Sequence, residues 1–195
     1  MKMKNGEFDY TVKQEHVTLI LTSFHQKNIE ATIRIRLISP GASATITGIV
    51  IASGKSKIRL HTMQEHAAPN TTSNLLIKTA LYDEATCTID GGIRVEKNAQ
   101  KTDAYQRNEN LLMSDTTHAE SKPSLEILAD DVRCTHGATV GPVSEEELWY
   151  LATRGIPRTP AEQLIVRGFF GKVLERIDDT EVRENVWKSI VKSIY

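Results

Sequence analysis

Between residues 8 and 134, short runs of apolar side chains recur at every second position, the period of a strand with one buried face. Residues 31–38 show it most clearly, with Ile33, Ile35 and Leu37 on one face and Arg34 and Arg36 on the other. Residues 44–49 repeat the pattern with smaller side chains. Further strands are expected at 17–22, 57–63, 75–81, 85–95 and 125–132, rich in Val, Ile and Thr and broken by Asn, Asp, Gly and Pro. Two-residue hairpin signals do not stand at each join, so the strands form either a sandwich or a solenoid with parallel strands on each face. The small residues Ala42, Ala44, Gly48 and Ala52 favour a β-helix, whose coils stack like on like. Ile33, Ile35, Ile46 and Ile77 are the expected interior.

After Val143 the period lengthens. Ser144-Glu145-Glu146-Glu147 reads as a capping box, its acids suited to the positive end of a helix that runs through Leu148, Trp149 and Leu151 and stops at Gly155. Thr159-Pro160-Ala161-Glu162 reads as a second box with Pro160 in first position, followed by an apolar stripe of Leu164, Ile165, Gly168, Phe169, Val173 and Ile177. A last helix is expected from Thr180, carrying Val182, Val186, Trp187, Ile190 and Ile194. The chain therefore divides into a β-helix core over 1–141 and a small C-terminal helical domain over 142–195. The helical stripe reads as core before interface, although short helices cannot bury all of it by themselves, and the surplus is expected to be covered by a partner.

Composition narrows the function. The 195 residues are 39% hydrophobic, and 24 Lys and Arg against 25 Asp and Glu give a net charge of -1, so no global field recruits nucleic acid or a membrane surface. The uncharged stretch 37–54 is interrupted by Pro40, Gly41 and Gly48, against a membrane span. The start carries no signal-peptide core, and two unpatterned cysteines, Cys87 and Cys134, suit a reducing compartment, so a cytoplasmic protein is expected.

Candidate chemistry is sparse. Gly48 to Ser56 imitates a phosphate loop, but its glycines are spaced wrongly and no helix pattern follows, which leaves a turn at Ser53-Gly54-Lys55. Asp130-Asp131 faces two sides of an extended chain and reads as a turn, and no hydrolase or protease signature appears. His61, His66 and His118, taken singly, read as surface or turn residues. Cys134-Thr135-His136 is different, because residues two apart in a strand share a face and would present sulfur and imidazole together, ligands for iron, zinc or copper. Two ligands do not complete a site. The plain alternative is a buried cysteine beside a hydrogen-bonded histidine.

Residues 123–141 (PSLEILADDVRCTHGATVG), then Leu151-Ala-Thr-Arg-Gly-Ile156 and Gly168-Phe-Phe170, resemble the C-terminal part of SufD-type scaffolds in the SufB/SufD family of the SUF iron–sulfur cluster assembly system. The likeness extends upstream through Pro69-Asn-Thr-Thr-Ser73, Lys78, Gly91-Gly-Ile-Arg-Val95 and Ala99 to Gln106. The resemblance implies a right-handed parallel β-helix, and a non-enzymatic scaffold working with a SufC-type ATPase and a SufB-like subunit or a second copy of itself. It places the functional histidine at His136 with Cys134 as the lesser neighbour, at a subunit interface. The cluster is then transient, with none tightly held by the isolated chain. Trp149, Leu164, Phe169 and Val173 become the ATPase-docking surface. The family carries a long N-terminal region before its β-helix that this sequence does not show, so it reads as a minimal form or a fragment. The competing readings are a carbohydrate-active β-helix enzyme and an interaction module without metal chemistry.

Overall fold

The computed structural model describes residues 2–13 and 16–194, so Met1 and Tyr195, the outer ends of the two expected domains, lie outside it. Ten strands follow one another: β1 (Gly6–Val12), β2 (His16–Phe24), β3 (Asn28–Leu37), β4 (Ser43–Ala52), β5 (Lys57–His66), β6 (Thr72–Leu81), β7 (Thr86–Val95), β8 (Asp103–Leu112), β9 (His118–Ile127) and β10 (Arg133–Pro142). Each pairs in parallel with the strand two places along, giving one sheet in the order β1-β3-β5-β7-β9 and another in the order β10-β8-β6-β4-β2. The result is a parallel β-helix of five coils, two strands to a coil, and none of the named strands pairs as an antiparallel hairpin.

Successive coils keep one register, with like on like in the interior at Ile29 on Ile58 and Leu60 on Ile89. Ser43, Thr72, Asp103 and Arg133 occupy equivalent places on successive coils, as do Asn28, Lys57, Thr86 and His118. Ile33, Ile35, Ile46 and Ile77 are buried to within 1% exposure, as the alternation requires. Arg34, on the outer face, pairs with Asp9 at 2.9 Å and Glu65 at 3.3 Å on the neighbouring strands. The coil corners need left-handed backbone, which Gly54 supplies at φ +64 and Asp83 at φ +58. The Asp83 carboxylate accepts from the Gly54 amide at 2.8 Å, tying one corner to the next.

Two strands escape the hydrophobic pattern. The inward positions of β8 are Ala104, Gln106, Asn108 and Asn110, all buried, so its alternation is small and amide rather than apolar. On β10 the inward positions are Cys134, His136, Ala138 and Val140, by register with those four. The strand expected at 125–132 instead begins at His118, because Ala119, Ser121 and Pro123 fill its first inward places, and residues 130–131 form a bend. Pro123 is tolerated because β9 is an edge strand.

His66 also departs from expectation. It is 0% exposed, facing inward, with Nδ1 2.8 Å from Thr71 Oγ1 and Nε2 2.8 Å from Ser73 Oγ. Burial lowers its pKa from the ordinary 6.5 to about 4. The group is therefore bound neutral: its contribution is complete above pH 6.5 and is lost as pH falls through 4, worth about 3 kcal/mol in all. Urea unfolding at pH 7.5 and pH 4 should show that loss in wild type and not in a His66→Gln variant, whose amide does not titrate. Equal pH sensitivity in both would assign the acid loss to other groups.

Three helices follow: α1 (Glu145–Thr153), α2 (Arg158–Leu174) and α3 (Thr180–Ile194). Ser144 caps α1 as expected, accepting from the Glu147 amide at 3.2 Å, and Gly155 ends it at φ +78. The second box is not one. Thr159 lies inside α2, whose N-cap is Pro157 with no side-chain cap, and Pro160 sits in the first turn where its missing N–H leaves no orphan. Glu162 instead pairs with Arg158 at 2.9 Å, and Arg158 forks onto Glu145 of α1 at 2.7 and 3.1 Å. The buried face of α2 is Val166, Phe170 and Val173, which pack with Ile190 of α3 onto Ile49, Ile51, Leu76 and Ala80 on the outer face of the β2–β10 sheet. The helices thus share a core with the solenoid. No helix among the described residues is long and apolar enough to cross a membrane.

Candidate functional site

The solenoid ends open. β9 and β10 are the last members of their sheets, so each keeps one unpaired edge, a template for further strand pairing. Leu125, Ile127 and Val140 point inward by register with Ile93, Val95 and Asn110, yet remain 39%, 38% and 46% exposed because no sixth coil among the described residues covers them. An apolar patch bounded by two open edges is thus presented at one end of the molecule.

Cys134 and His136 lie on this rim, on the same inward side of β10. Cys134 is half-buried against Ile93, Val95 and Ala104, whereas His136 is exposed. The two alternatives for the triplet are therefore divided between its members: sulfur leans into the core and imidazole stays accessible. Burial pushes the Cys134 thiol above its usual range, with Asp103 adding to the effect and a hydrogen bond to the Ala104 backbone opposing it. Among the described residues no three His, Cys, Asp or Glu side chains converge on a metal position. His61 pairs with Asp90 at 3.1 Å on the outer wall, and His118 is exposed at the start of β9.

Cys87 is fully buried, and burial raises its thiol to about 12. The two thiols should therefore separate chemically. A maleimide at pH 8 is expected to label Cys134 on the folded chain and to reach Cys87 only after denaturation. Equal labelling of both in the folded protein would contradict this burial.

A second feature lies between the β2–β10 sheet, α1 and α2, where a cleft of about 990 Å³ is walled by Leu111, Tyr150, Leu164 and Phe169. Its floor carries charge. Lys78, 4% exposed, pairs with Glu109 at 2.8 Å, donates to the Phe169 carbonyl at 2.8 Å and stands 4.4 Å from the Phe169 ring centroid. Burial alone would raise the Glu109 carboxyl, but Lys78 and Arg107 together hold it below the usual range. A lysine in the apolar run 75–81 was the sequence signal of this latch, which fixes α2 to the sheet.

The four helix residues expected to meet a partner divide. Trp149 is 69% and Leu164 48% exposed, with Tyr150 at 54% beside them. Phe169 is partly buried at the cleft. Val173 is 0% exposed in the helix–sheet core, so it is unavailable to a partner. The stripe of Leu164, Ile165 and Gly168 lines the cleft, while the face one residue round carries the packing.

Comparison with known proteins adds a lineage. Residues 8–169 match the model of the SufBD core domain of the SUF iron–sulfur cluster assembly system. The chain is 39% identical to the iron–sulfur cluster assembly protein SufD of Escherichia coli over 125 residues, 64% of this chain and 30% of that protein. It is 31% identical over 183 residues to the SufBD family protein Rv1462 of Mycobacterium tuberculosis, 90% of this chain and 45% of that one. A chloroplastic protein of Arabidopsis thaliana, ABCI7, is 28% identical over 153 residues, 78% and 32%. The chain thus spans less than half the length of these relatives.

Proposed function

The chain belongs to the SufBD family of the SUF iron–sulfur cluster assembly system, and from that premise we propose that it is a SufD-like scaffold subunit, not itself an enzyme, acting in the cytoplasm. The observation that carries the reading is His136, exposed on the rim of an open coil end whose apolar residues and strand edges await a second subunit. The partner there is a SufB-like subunit or a second copy of this chain. The 1–141 unit supplies that end and the 142–195 helices supply a docking surface for a SufC-type ATPase, where the energy of nucleotide hydrolysis enters.

The nascent cluster is cargo. His136 offers an exposed imidazole nitrogen, and Cys134, half-buried with its thiol pushed above its usual range by burial, is the weaker contributor until a partner remodels the rim. Two donors from one chain leave further iron sites to ligands of the partner. Covering Leu125, Ile127 and Val140 would stabilise the contact by about 1 kcal/mol per side chain beyond their present burial.

Anaerobic reconstitution with ferrous iron and sulfide tests this. The isolated chain is expected to release its iron on desalting, and the complex with a SufB-like subunit and the ATPase to keep an iron–sulfur absorption band. Equal retention by the chain alone would replace the shared site with a self-contained one. No retention by any combination would favour an interaction module without metal chemistry.

A further inference from the structure

The two ends of the solenoid are finished differently. At the open end Leu125, Ile127 and Val140 stay well exposed, whereas at the other end, where β1 and β2 are the outermost strands, Val12 is 2% and Leu21 0% exposed. No further coil lies over β1 and β2 among the described residues, so their covering is local. Met3 supplies it. Its side chain is 1% exposed and joins the core cluster that holds Val12 and Leu21, with Phe8, Tyr10, Val17 and Leu19 partly buried against that cluster. The Met3 amide donates to the Thr22 carbonyl at 2.7 Å and Lys2 forms a parallel bridge with Thr22, so the outer edge of β2 is engaged there. Asn5 Oδ1 then accepts from the Glu30 amide at 2.9 Å, just before the first β1–β3 pair, Gly6 on Ala31. A side chain thus satisfies the β3 amide that the next strand position would have met.

A parallel solenoid bare at both ends is complementary to itself, because its last strands run in the same direction as its first and in the same two sheets. The interior columns agree. The column of Tyr10, Ile35, Gln64 and Ile93 ends in Leu125, and that of Val12, Leu37, His66 and Val95 ends in Ile127. A second copy set head to tail on the open end would extend both columns with another Tyr10 and Val12, apolar on apolar, and would pair its first strands with the free edges of β9 and β10. Such a contact is heterologous, does not close, and would run on into a filament. We infer that Lys2 to Asn5 are a cap that excludes a second copy from this end, with Met3 as the plug and the bonds to Thr22 and Glu30 as its anchors. The capped solenoid is one-ended. Two copies can still meet open end to open end, but no third can be added, whether or not iron binds at His136.

Sedimentation equilibrium of the full chain over a concentration series tests this. Wild type is expected to level off at or below about twice the mass of one chain, the limit for one-ended molecules. Deleting Lys2 to Asn5, or Met3→Asp, which puts a carboxylate in the plug's place, should let the mass climb with concentration to about five times that of one chain or more. Adding Ile127→Lys, which charges the open end, should return either variant to the mass of one chain. Growth that survives Ile127→Lys is aggregation rather than stacking and overturns the inference. So does a folded uncapped variant that stays at the wild-type mass, and so does wild type that climbs past two copies. Uncapped variants that lose the far-ultraviolet circular dichroism of the solenoid would make these residues part of the fold itself and not a guard on its end, which also overturns it. In the wild-type chain the Met3 amide should exchange with solvent at least about tenfold more slowly than an unstructured amide. Exchange at the unstructured rate removes the cap with no variant needed.

Discussion

A His136→Ala substitution is expected to abolish cluster maturation in cells that depend on this assembly system, lowering the activity of a cluster-requiring reporter enzyme by about tenfold or more. The complex itself should still copurify. The residue is exposed on an edge strand, so truncation should cost little folding stability. Cys134→Ser should be milder, because the sulfur is half-buried and its thiol is pushed above its usual range. Burial and chemistry therefore rank the two neighbours, with the imidazole first. Normal maturation by an intact His136→Ala complex would take His136 out of the site, and loss of the complex would make the residue part of the interface instead.

The second large effect belongs to the helices. Trp149→Asp and Leu164→Asp should each weaken binding of a SufC-type ATPase by about a hundredfold, the scale of losing a buried aromatic or aliphatic anchor from an interface. Both side chains are about half exposed or more in the chain alone, so the variants should keep wild-type far-ultraviolet circular dichroism and melting temperature. Val173→Asp is the contrast. It places a carboxylate among Val166, Phe170, Ile190 and the outer face of the sheet, and should unfold the helical region, at a cost of at least about 3 kcal/mol. Titration of the ATPase against immobilised variants separates the cases. Unchanged affinity in both Trp149→Asp and Leu164→Asp would move the docking surface elsewhere.

Lys78 shows how the two parts of the molecule act on each other. Its buried ammonium neutralises Glu109 on the solenoid and bonds the Phe169 carbonyl on α2, so a partner that levers α2 must work against a desolvated ion pair. Force applied at the helices therefore reaches β6 and β8, and β8 is the strand that carries β10 and His136. This is spatial continuity between the two proposed contact regions.

The alternation of Ile33, Ile35 and Leu37 against Arg34 and Arg36 was enough to place β3, since a half-buried strand needs nothing beyond its own period. The capping residue Ser144 placed α1 in the same local way. The triplet Cys134-Thr135-His136 stood out as a candidate, and its role was the one the family resemblance implied. By contrast, β8 and β10 carry amides, small residues and a histidine at their inward positions, and only pairing with a neighbouring coil makes such segments strands. Thr159 offered a cap, but α2 starts one residue earlier, at Arg158, with Pro157 at the N-cap and the Arg158 guanidinium on Glu162 and Glu145.

Local periodicity and capping thus determined by sequence alone a β body with a helical tail, and the small stacked residues together with the family motifs favoured a β-helix over a sandwich. Tertiary structure decided what each side chain faces. His66 is neutral and internal because two hydroxyls from the next strand region enclose it, and Val173 is core while Leu164 is surface because α2 turns one of its two apolar faces to the sheet. Gln106 and His136 come into register because the winding brings residues far apart in the chain to one strand spacing. The physical reason is range: a strand's period is written in its neighbours, whereas burial and stacking depend on which coil lies above and below, and β9 and β10 have no further coil over them among the described residues.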